Sequence, residues 1–327
     1  MLSEIINKPE LQILVNILPE IHVGYPLYEI PLIRAKPDDK GYTVETLAER
    51  KDFARALPYD LPGYADFYEC FISSGILRYD NIDEFKKSLE LYEYLRKGIV
   101  FAPDTNIFYH RFISNFRPLD RYQIAVAEGV QKEIENAMNY KYRHSQLSEL
   151  KLAVKNSYLL NELSNRRMKK SRKAAYIALK EFERLKDRII IAESIKEDAH
   201  NNDEIIIKSL KRFDNMTPSL VVFLTADIAI TDVAEIEGLE YFLFEYPTER
   251  LGKHKVSAYQ LRTLIFNLAA VFGVIDVNGI LIYGEFGGKR GLNELKLIFP
   301  RESRIYNEFE FHLKLCRKLM KIMGPSD

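Results

Sequence analysis

The chain has 327 residues, a length typical of two or three domains. Hydrophobic residues make up 47% of the sequence and aromatic residues 12%, which excludes a disordered class and provides for packed cores. Because 47 Lys and Arg residues balance 47 Asp and Glu residues, the net charge indicates no partner, and a nucleic-acid surface must be a local patch.

The cysteine and apolar patterns bear on the cellular location. Cys70 and Cys316 lie too far apart in sequence to predict a metal site or a disulfide framework, which fits a reducing cytoplasm. The first residues, MLSEIINKPE, lack the basic start and apolar run of a signal peptide. The longest apolar stretch, 265–284, contains Asn267, Asp276 and Asn278, so it is a poor membrane span. We expect a cytoplasmic protein with no membrane partner.

Residues 1–97 are predicted to form a helical N-terminal domain. Tyr64, Phe67 and Phe71 are spaced three and four residues apart, which places them on one helix face. A second set with helical spacing runs from Phe85 to Leu95. The segment 24–41 is rich in proline and is expected to be extended.

Residues 98–250 alternate between short apolar runs and helical patterns. The runs GIVFAP, IAVAEGV (124–130), SLVVFLTAD (219–227) and YFLFEYP (241–247) predict strands. This alternation indicates an α/β class with a central α/β/α sandwich around a parallel sheet. A long helical insert is predicted at about 141–200, because residues from Ala175 to Ile189 follow a three-four spacing.

Residues 251–327 are predicted to form a small α+β C-terminal domain. A helical segment comes first, and Asn278-Gly279 then separates two apolar runs, which is a strong hairpin signal. The run ELKLIFP predicts a further strand, and the last twenty or so residues predict a helix.

Acidic residues follow the predicted strands of the central region. Asp104 and Asp227 end two strands, Glu133 lies just past a third, Asp203 begins a helical run, and Asp232 lies five residues after Asp227. Ligands of open parallel sheets bind beyond the carboxyl ends of the strands. Carboxylates that converge there repel one another unless cations lie between them, and an oxygen-only ligand set favours Mg²⁺ or Mn²⁺.

The order of these motifs resembles the PIN-domain ribonucleases over about 98–250. The resemblance is carried by Asp104-Thr105-Asn106 after a strand, the acid in VQKEIE, the run NDEII and the segment TADIAITD. It implies a metal-dependent nuclease of the α/β/α type with catalytic, metal-binding residues Asp104, Glu133, Asp203 and Asp227. Asp232 would be a further ligand or an acid just outside the ligand set. Thr105, Asn106 and Thr225 would orient the carboxylates by hydrogen bonds. Thr and Asn are also ordinary turn and capping residues at such positions.

Two of these assignments have alternatives in sequence. Glu128 and Glu135 compete with Glu133, which is preferred because it follows its strand by the expected few residues. Asp198 and Glu204 compete with Asp203, which directly precedes the apolar helix.

The resemblance implies that the chain is an endo- or exo-acting ribonuclease, with an endoribonuclease as our prediction, leaving a 5′-phosphate and a 3′-hydroxyl. Its alternative is a catalytically inactive PIN-like module that binds RNA or takes part in assembly, and a homo-oligomer is compatible with either. A haloacid-type phosphatase is disfavoured, because Asn106 occupies the position where a second acid is needed.

A basic run, RRMKKSRK (166–173), predicts contacts with RNA. Residues 141–200 contain fifteen Lys or Arg against eight acids, a local excess within a neutral chain. The simpler interpretation is a solvated helix. The candidate RNA-binding residues are Arg166, Arg167, Lys169, Lys170, Arg172 and Lys173.

Overall fold

A computed structural model describes residues 2–54, 60–163, 166–195, 202–301 and 303–323. The chain divides into two compact units, each assembled from separate segments. The first contains 1–70, 141–172 and 251–327, and the second contains 71–140 and 173–250. This grouping differs from the three consecutive domains expected from sequence, at 1–97, 98–250 and 251–327. Elements are numbered below in chain order.

In the described part of the first unit, eight strands form an antiparallel sheet. They are β1 (Leu2–Asn7), β2 (Ile21–Tyr25), β3 (Ile30–Asp38), β4 (Gly41–Thr46), β10 (Lys253–Val256), β11 (Val274–Val277), β12 (Ile280–Tyr283) and β13 (Glu294–Phe299). The order across the sheet is β1-β13-β12-β11-β2-β3-β4-β10. Strands from both ends of the chain therefore share one sheet.

The prediction of a mainly helical domain over 1–97 is wrong for its first half, which contributes β1 to β4. Burial in β2 alternates, with Ile21, Val23 and Tyr25 buried, so the period of two was present in the sequence. β1 pairs with β13 and β2 with β11, both far along the chain. Whether a short segment forms a strand depends on such tertiary pairing more than on its own sequence. In the described part of this segment, helices follow β4, apart from two short ones between β1 and β2, at Lys8–Glu10 and Leu11–Ile17.

Helices accompany both sheets. Those in the first unit or crossing its boundary are α1 (Leu11–Ile17), α2 (Tyr64–Ser73), α7 (His144–Ala153), α8 (Lys169–Lys173), α12 (Ala258–Phe272) and α13 (Arg304–Met323). Short 3₁₀ helices occupy Lys8–Glu10, Arg50–Phe53, Arg117–Arg121, Ser157–Asn161 and Lys186–Arg188. Ser257 caps α12 by accepting from the Gln260 N–H at 3.2 Å.

The predicted hairpin at Asn278-Gly279 is confirmed, because Val277 pairs with Ile280 across a two-residue turn. Both turn residues have positive φ, 52° at Asn278 and 82° at Gly279, as this type of turn requires.

The second unit holds a five-stranded parallel sheet flanked by helices, as far as the structure describes it. Its strands are β5 (Ile99–Pro103), β6 (Gln123–Ala127), β7 (Ile189–Ala192), β8 (Leu220–Thr225) and β9 (Glu240–Leu243), in the order β7-β6-β5-β8-β9. Its helices are α3 (Ile82–Glu93), α4 (Thr105–Tyr109), α5 (Phe112–Asn115), α6 (Glu128–Ala137), α9 (Leu179–Leu185), α10 (Asn202–Met216) and α11 (Ile228–Glu237). The α/β class and the parallel sheet of the central region are confirmed.

Strand β7 lies inside the segment predicted as a helical insert, about 141–200, so that expectation is wrong at this point. The helix α9 ends at Leu185, and Ile189 belongs to the strand rather than to the helical stripe. A run of three isoleucines favours a strand because β-branched side chains fit a pleated surface. A π-helical turn, Ala174–Ala178, precedes α9.

None of the described helices is both long enough and apolar enough to cross a membrane.

Candidate active site

Asp104 stands where β5 ends and α4 begins. Only 7% of the residue is exposed, and both carboxylate oxygens are held. The Ile107 N–H donates to Oδ1 at 2.7 Å, and the Thr225 hydroxyl donates to Oδ2 at 2.5 Å. Thr225 closes β8, which pairs with β5, so two neighbouring strands deliver these groups to one edge of the sheet.

The environment of Asp104 resists its ionisation. Burial raises the pKa of its carboxyl to about 6, although the hydrogen bonds from Thr225, Ile107 and Ala226 act in the opposite direction. The negative charge of Asp227 raises this pKa further. A buried carboxyl beside a second acid is the arrangement that a bound cation would relieve.

Glu133 is connected to the same corner through Thr105. The Thr105 hydroxyl donates to Glu133 Oε2 at 2.8 Å. Glu133 lies in the second turn of α6, because that helix begins at Glu128, earlier than the strand predicted over 124–130 would allow. Asp104 and Thr105, which are adjacent in sequence, therefore connect the end of β5 with the end of β8 and with the second turn of α6.

Asp227 and Asp203 complete a group of four acids. Asp227 caps α11 by accepting from the Ala229 N–H at 2.9 Å, and its own N–H donates to Thr225 Oγ1 at 3.0 Å. Asp203 lies in the first turn of α10. Partial burial raises the pKa of Asp203, and the charges of Asp227 and Glu133 raise it further. We call Asp104, Glu133, Asp203 and Asp227 the acidic cluster.

Two further sequence-predicted residues have plainer surroundings. Asp232 is exposed on α11, where its charge acts on the Tyr241 phenol. The pKa of that phenol is raised first by a hydrogen bond to Glu235 and only to a smaller extent by the charge of Asp232. Asn106 is half-buried in α4, where its backbone carbonyl accepts from the His110 N–H at 2.9 Å.

The competing acids differ from the acidic cluster in their partners. Glu128 forms an ion pair with Lys132, with Oε1 2.6 Å from the ammonium. This ion pair, together with hydrogen bonds from Ser194, lowers the pKa of Glu128 to about 2. Glu204 forms an ion pair with Lys208 at 2.6 Å, and Glu135 accepts from the Gln131 amide at 2.9 Å. These acids have cationic or amide partners, whereas Glu133 accepts from the Thr105 hydroxyl and its charge raises the pKa of Asp203, after burial and Asp227. Asp198 lies outside the described residues.

Within the described ranges, no three His, Cys, Asp or Glu side chains form a group that could hold a metal ion as they stand. The chemistry of the acidic cluster nevertheless fits a hard divalent cation, because its donors are carboxylate oxygens alone. Burial, and to a smaller extent the charges of neighbouring acids, raises the pKa values of Asp104 and Asp203, and a bound cation would offset both effects.

The basic run 166–173 is not a uniform surface. Arg172 is 1% exposed, and its guanidinium donates to the backbone carbonyls of Val271 at 3.0 Å and Arg167 at 2.8 Å. It therefore offers no surface to a phosphate. Lys169 donates to Asp66 at 3.2 Å, and Arg167 Nε lies 4.0 Å from Glu285 Oε1.

The other three candidates in the run differ in exposure. Arg166 and Lys170 are exposed, whereas Lys173 is half-buried, with its ammonium 4.8 Å from the centre of the Tyr109 ring. Burial raises the pKa of the Tyr109 phenol, and the charge of Glu133 adds to this effect. Among the predicted RNA-binding residues, Lys173 is thus connected through Tyr109 to the acidic cluster.

Tyr246 is a site residue that the sequence patterns missed. It follows β9, and its phenol interacts with the charges of Asp104 and Asp227. The acids were chosen because they follow predicted strands of a parallel sheet. Tyr246 could have been chosen in the same way, because it lies at the end of the run YFLFEYP.

Part of the chain matches a known protein family. Residues 101–244 match the family model of the PIN domain, and no curated protein matches the chain. PIN domains are generally nucleases. The matched range includes all four residues of the acidic cluster and both Thr105 and Thr225. The central part of the chain, residues 101–244, is therefore similar to the PIN domains.

Proposed function

We propose that this protein is a divalent-metal-dependent ribonuclease that hydrolyses RNA phosphodiester bonds endonucleolytically at the acidic cluster. The observation that carries the proposal is that two threonines bring three acids to one sheet edge. The Thr225 hydroxyl bonds Asp104 and the Asp227 N–H, and the Thr105 hydroxyl bonds Glu133. The charges of Asp227 and Glu133 also act on the fourth acid, Asp203. Such crowding of negative charge costs stability and is typical of functional sites.

Each acid has a distinct part in the proposal. Asp104 supplies a rigid carboxylate, because the Ile107 N–H and the Thr225 hydroxyl fix both of its oxygens. Glu133 is oriented by the Thr105 hydroxyl, and Asp227 by the Ala229 N–H at the start of α11. Asp203, in the first turn of α10, supplies the fourth carboxylate. Asp232 is proposed as an outer acid.

The proposed cofactor is Mg²⁺ or Mn²⁺, held by carboxylates of the acidic cluster. When bound, such an ion activates a water molecule and stabilises negative charge on the phosphate and the leaving oxygen. The protein contributes the fixed oxygens, and Thr105 and Thr225 keep them oriented in the absence of substrate.

The competing function is a PIN-like module that binds RNA without cleaving it. A binding surface for a polyanion gains nothing from four clustered carboxylates, so the acidic cluster favours the enzyme. RNA is the proposed partner, and Arg166, Lys170 and Lys173 are the proposed phosphate contacts. A cytoplasmic location and the existence of a homo-oligomer stay proposals.

The test uses the full chain and a fluorogenic single-stranded RNA, incubated with EDTA, Mg²⁺ or Mn²⁺. We expect cleavage only with metal, and loss of that cleavage in Asp104→Asn. Binding of the RNA without metal-dependent cleavage by the folded parent protein would support the inactive module instead.

A further inference from the structure

The segment that carries Tyr246 is fixed by two residues that precede α3. The Asn81 side chain donates to the Leu243 carbonyl at 2.8 Å and accepts from the Glu245 N–H at 3.0 Å. The Asp80 N–H donates to the Glu245 carbonyl at 3.0 Å. The backbone next to Tyr246 is therefore held on both its N–H and its carbonyl sides.

One side of the Tyr246 ring packs against buried aromatic residues, and the rest of the residue is exposed. It contacts the His110 ring with centroids 5.3 Å apart and the Tyr79 ring at 6.2 Å, both nearly perpendicular. Tyr79 and His110 are buried and joined by a 2.6 Å hydrogen bond between the Tyr79 hydroxyl and His110 Nδ1. Tyr246 itself is 41% exposed, so an ordered aromatic surface is available to a ligand.

The ring lies beside the acidic cluster and carries no charge at neutral pH. Burial raises the pKa of the Tyr246 phenol to about 12, and the charges of Asp104 and Asp227 contribute. Burial lowers the pKa of His110 to about 4, so the imidazole that supports the ring is neutral too. A neutral aromatic group next to carboxylates suits the uncharged base of a nucleotide and not its phosphate.

We propose that Tyr246 is a base-binding subsite, on which an unpaired nucleobase next to the cleaved phosphate stacks. The subsite rests on the proposed function, since it specifies the part of an RNA that the site holds. A paired base has both faces covered by its neighbours, so the subsite accepts single-stranded segments. Every base has an aromatic face, so the subsite imposes little sequence preference.

The test measures binding of short fluorescent single-stranded RNAs to the full chain carrying Asp104→Asn, which prevents cleavage. Into this background we introduce Tyr246→Leu, Tyr246→Phe or Tyr246→Trp. Leu should weaken binding about tenfold, whereas Phe and Trp, which keep an aromatic face, should bind within about twofold of the background. Equal losses with Leu and Phe would assign the effect to the hydroxyl and overturn the stacking role.

A matched control is Tyr94→Leu, because Tyr94 is 86% exposed and follows the end of α3. Its change should leave binding unaltered. A loss as large as that of Tyr246→Leu would mean that any exposed tyrosine matters, which would overturn the assignment.

A second measurement separates stacking from a structural effect of the substitution. A series of RNAs, each with one abasic position, is bound to the background protein and to the Tyr246 variants. At one position, removal of the base should weaken binding to the background protein about as much as Tyr246→Leu weakens binding of the intact RNA. Combining the two changes should cause no further loss, because both remove the same contact.

Additive losses at every position would overturn the subsite. Tyr246→Trp keeps the aromatic face and should lose affinity at the same abasic position as the background protein. The result is therefore readable even where Tyr246→Leu folds poorly, and a Trp variant that responds at no position would also overturn the subsite.

The two proposals fail separately. Cleavage by the parent protein without coupling at any abasic position would remove the subsite and leave the nuclease. Coupling at one position, in a parent protein that does not cleave RNA with Mn²⁺, would remove the nuclease and leave the base-binding subsite.

Discussion

The Thr225 hydroxyl lies 2.5 Å from Asp104 Oδ2, and the oxygen of that hydroxyl accepts from the Asp227 N–H at 3.0 Å. One side chain at the end of β8 therefore connects two acids of the acidic cluster. Its hydrogen bond favours the charged form of Asp104 and opposes the effect of burial on the pKa of that carboxyl.

Replacing Thr225 with Val should raise the pKa of Asp104 further, because a nearly isosteric side chain removes the hydrogen bond to the carboxylate. The acidic limb of the pH–rate profile for metal-dependent RNA cleavage should then move to higher pH, and the rate at pH 7 should fall about tenfold. Thr225→Ser keeps the hydroxyl and serves as the control. An unchanged acidic limb in the folded Val variant would show that Asp104 does not control this ionisation.

Asp104→Asn should abolish cleavage and, in EDTA, stabilise the fold at pH 7.5. Burial raises the pKa of Asp104 from 3.8 to about 6, so its protonated form is the one that folding favours. Stability from this group is complete below the unfolded pKa and is lost as pH rises through about 6. Asn resembles the protonated form, and the gain should be about 3 kcal/mol at pH 7.5, since one pKa unit corresponds to about 1.4 kcal/mol.

Thermal unfolding checks this at two pH values. The difference between Asp104→Asn and the parent should disappear well below the unfolded pKa of 3.8, where Asp104 is protonated in both the folded and the unfolded protein. Mn²⁺ should raise the melting temperature of the parent at pH 7.5 and have a much smaller effect on the variant. A variant less stable than the parent at pH 7.5 in EDTA contradicts the assigned cost of burying this charge.

Lys173→Gln should weaken RNA binding and reduce the slope of log affinity against log salt by about 1. The reason is the position of its ammonium over Tyr109, next to Glu133. Lys318→Gln, an exposed cation on α13, provides the control and should leave the slope unaltered. The measurement is fluorescence anisotropy over a salt series, and equal slopes for all three proteins would argue against Lys173.

Arg172→Ala should destabilise the protein by about 3 kcal/mol or more, because it removes a buried guanidinium and leaves two backbone carbonyls without their donor. Arg166→Ala, at an exposed position in the same run, should change the free energy of unfolding by less than about 0.5 kcal/mol. Denaturant unfolding distinguishes the two. A similarly small decrease in the free energy of unfolding for both variants would show that Arg172 does not have the buried structural role assigned to it.

Gly284→Ala should be strongly destabilising, because a Cβ there would lie 2.3 Å from the Ala269 carbonyl oxygen in α12. Backbone has to move, and the expected cost is about 3 kcal/mol. Gly291→Ala is the matched control, since its Cβ would meet the nearest atom, Glu294 Cγ, at 3.8 Å. Equal melting temperatures for the two variants would contradict the close approach of α12 to the chain just after β12.

The second unit could be predicted from sequence better than the first. The runs of β5 and β8 are almost wholly buried, so continuous apolar stretches followed by acids were readable without a structure. Strand β1 was not readable, because its partner β13 begins at Glu294 and local pattern carries no information about such pairing. The burial of Arg172 could not be predicted either, because a run of cations normally indicates a solvated helix face.

The candidate site shows the same division. Asp104 and Asp227 could be predicted because both follow strands of a parallel sheet, where position in the chain nearly determines position in space. The partners of Glu133 and Glu128 could not be predicted. Thr105 reaches the first and Lys132 the second, and this difference depends on side-chain directions within α6.

The sharing of one sheet by β2 and β11 has a consequence for biosynthesis. The ribosome releases β2 roughly 250 residues before β11, which becomes its neighbour. Until then, the edge of β2 that β11 later covers is open to pairing with other nascent chains. Chains shortened at the C-terminal side would keep that edge open permanently, so insoluble product is the expected outcome of removing β11 from this protein while β2 remains.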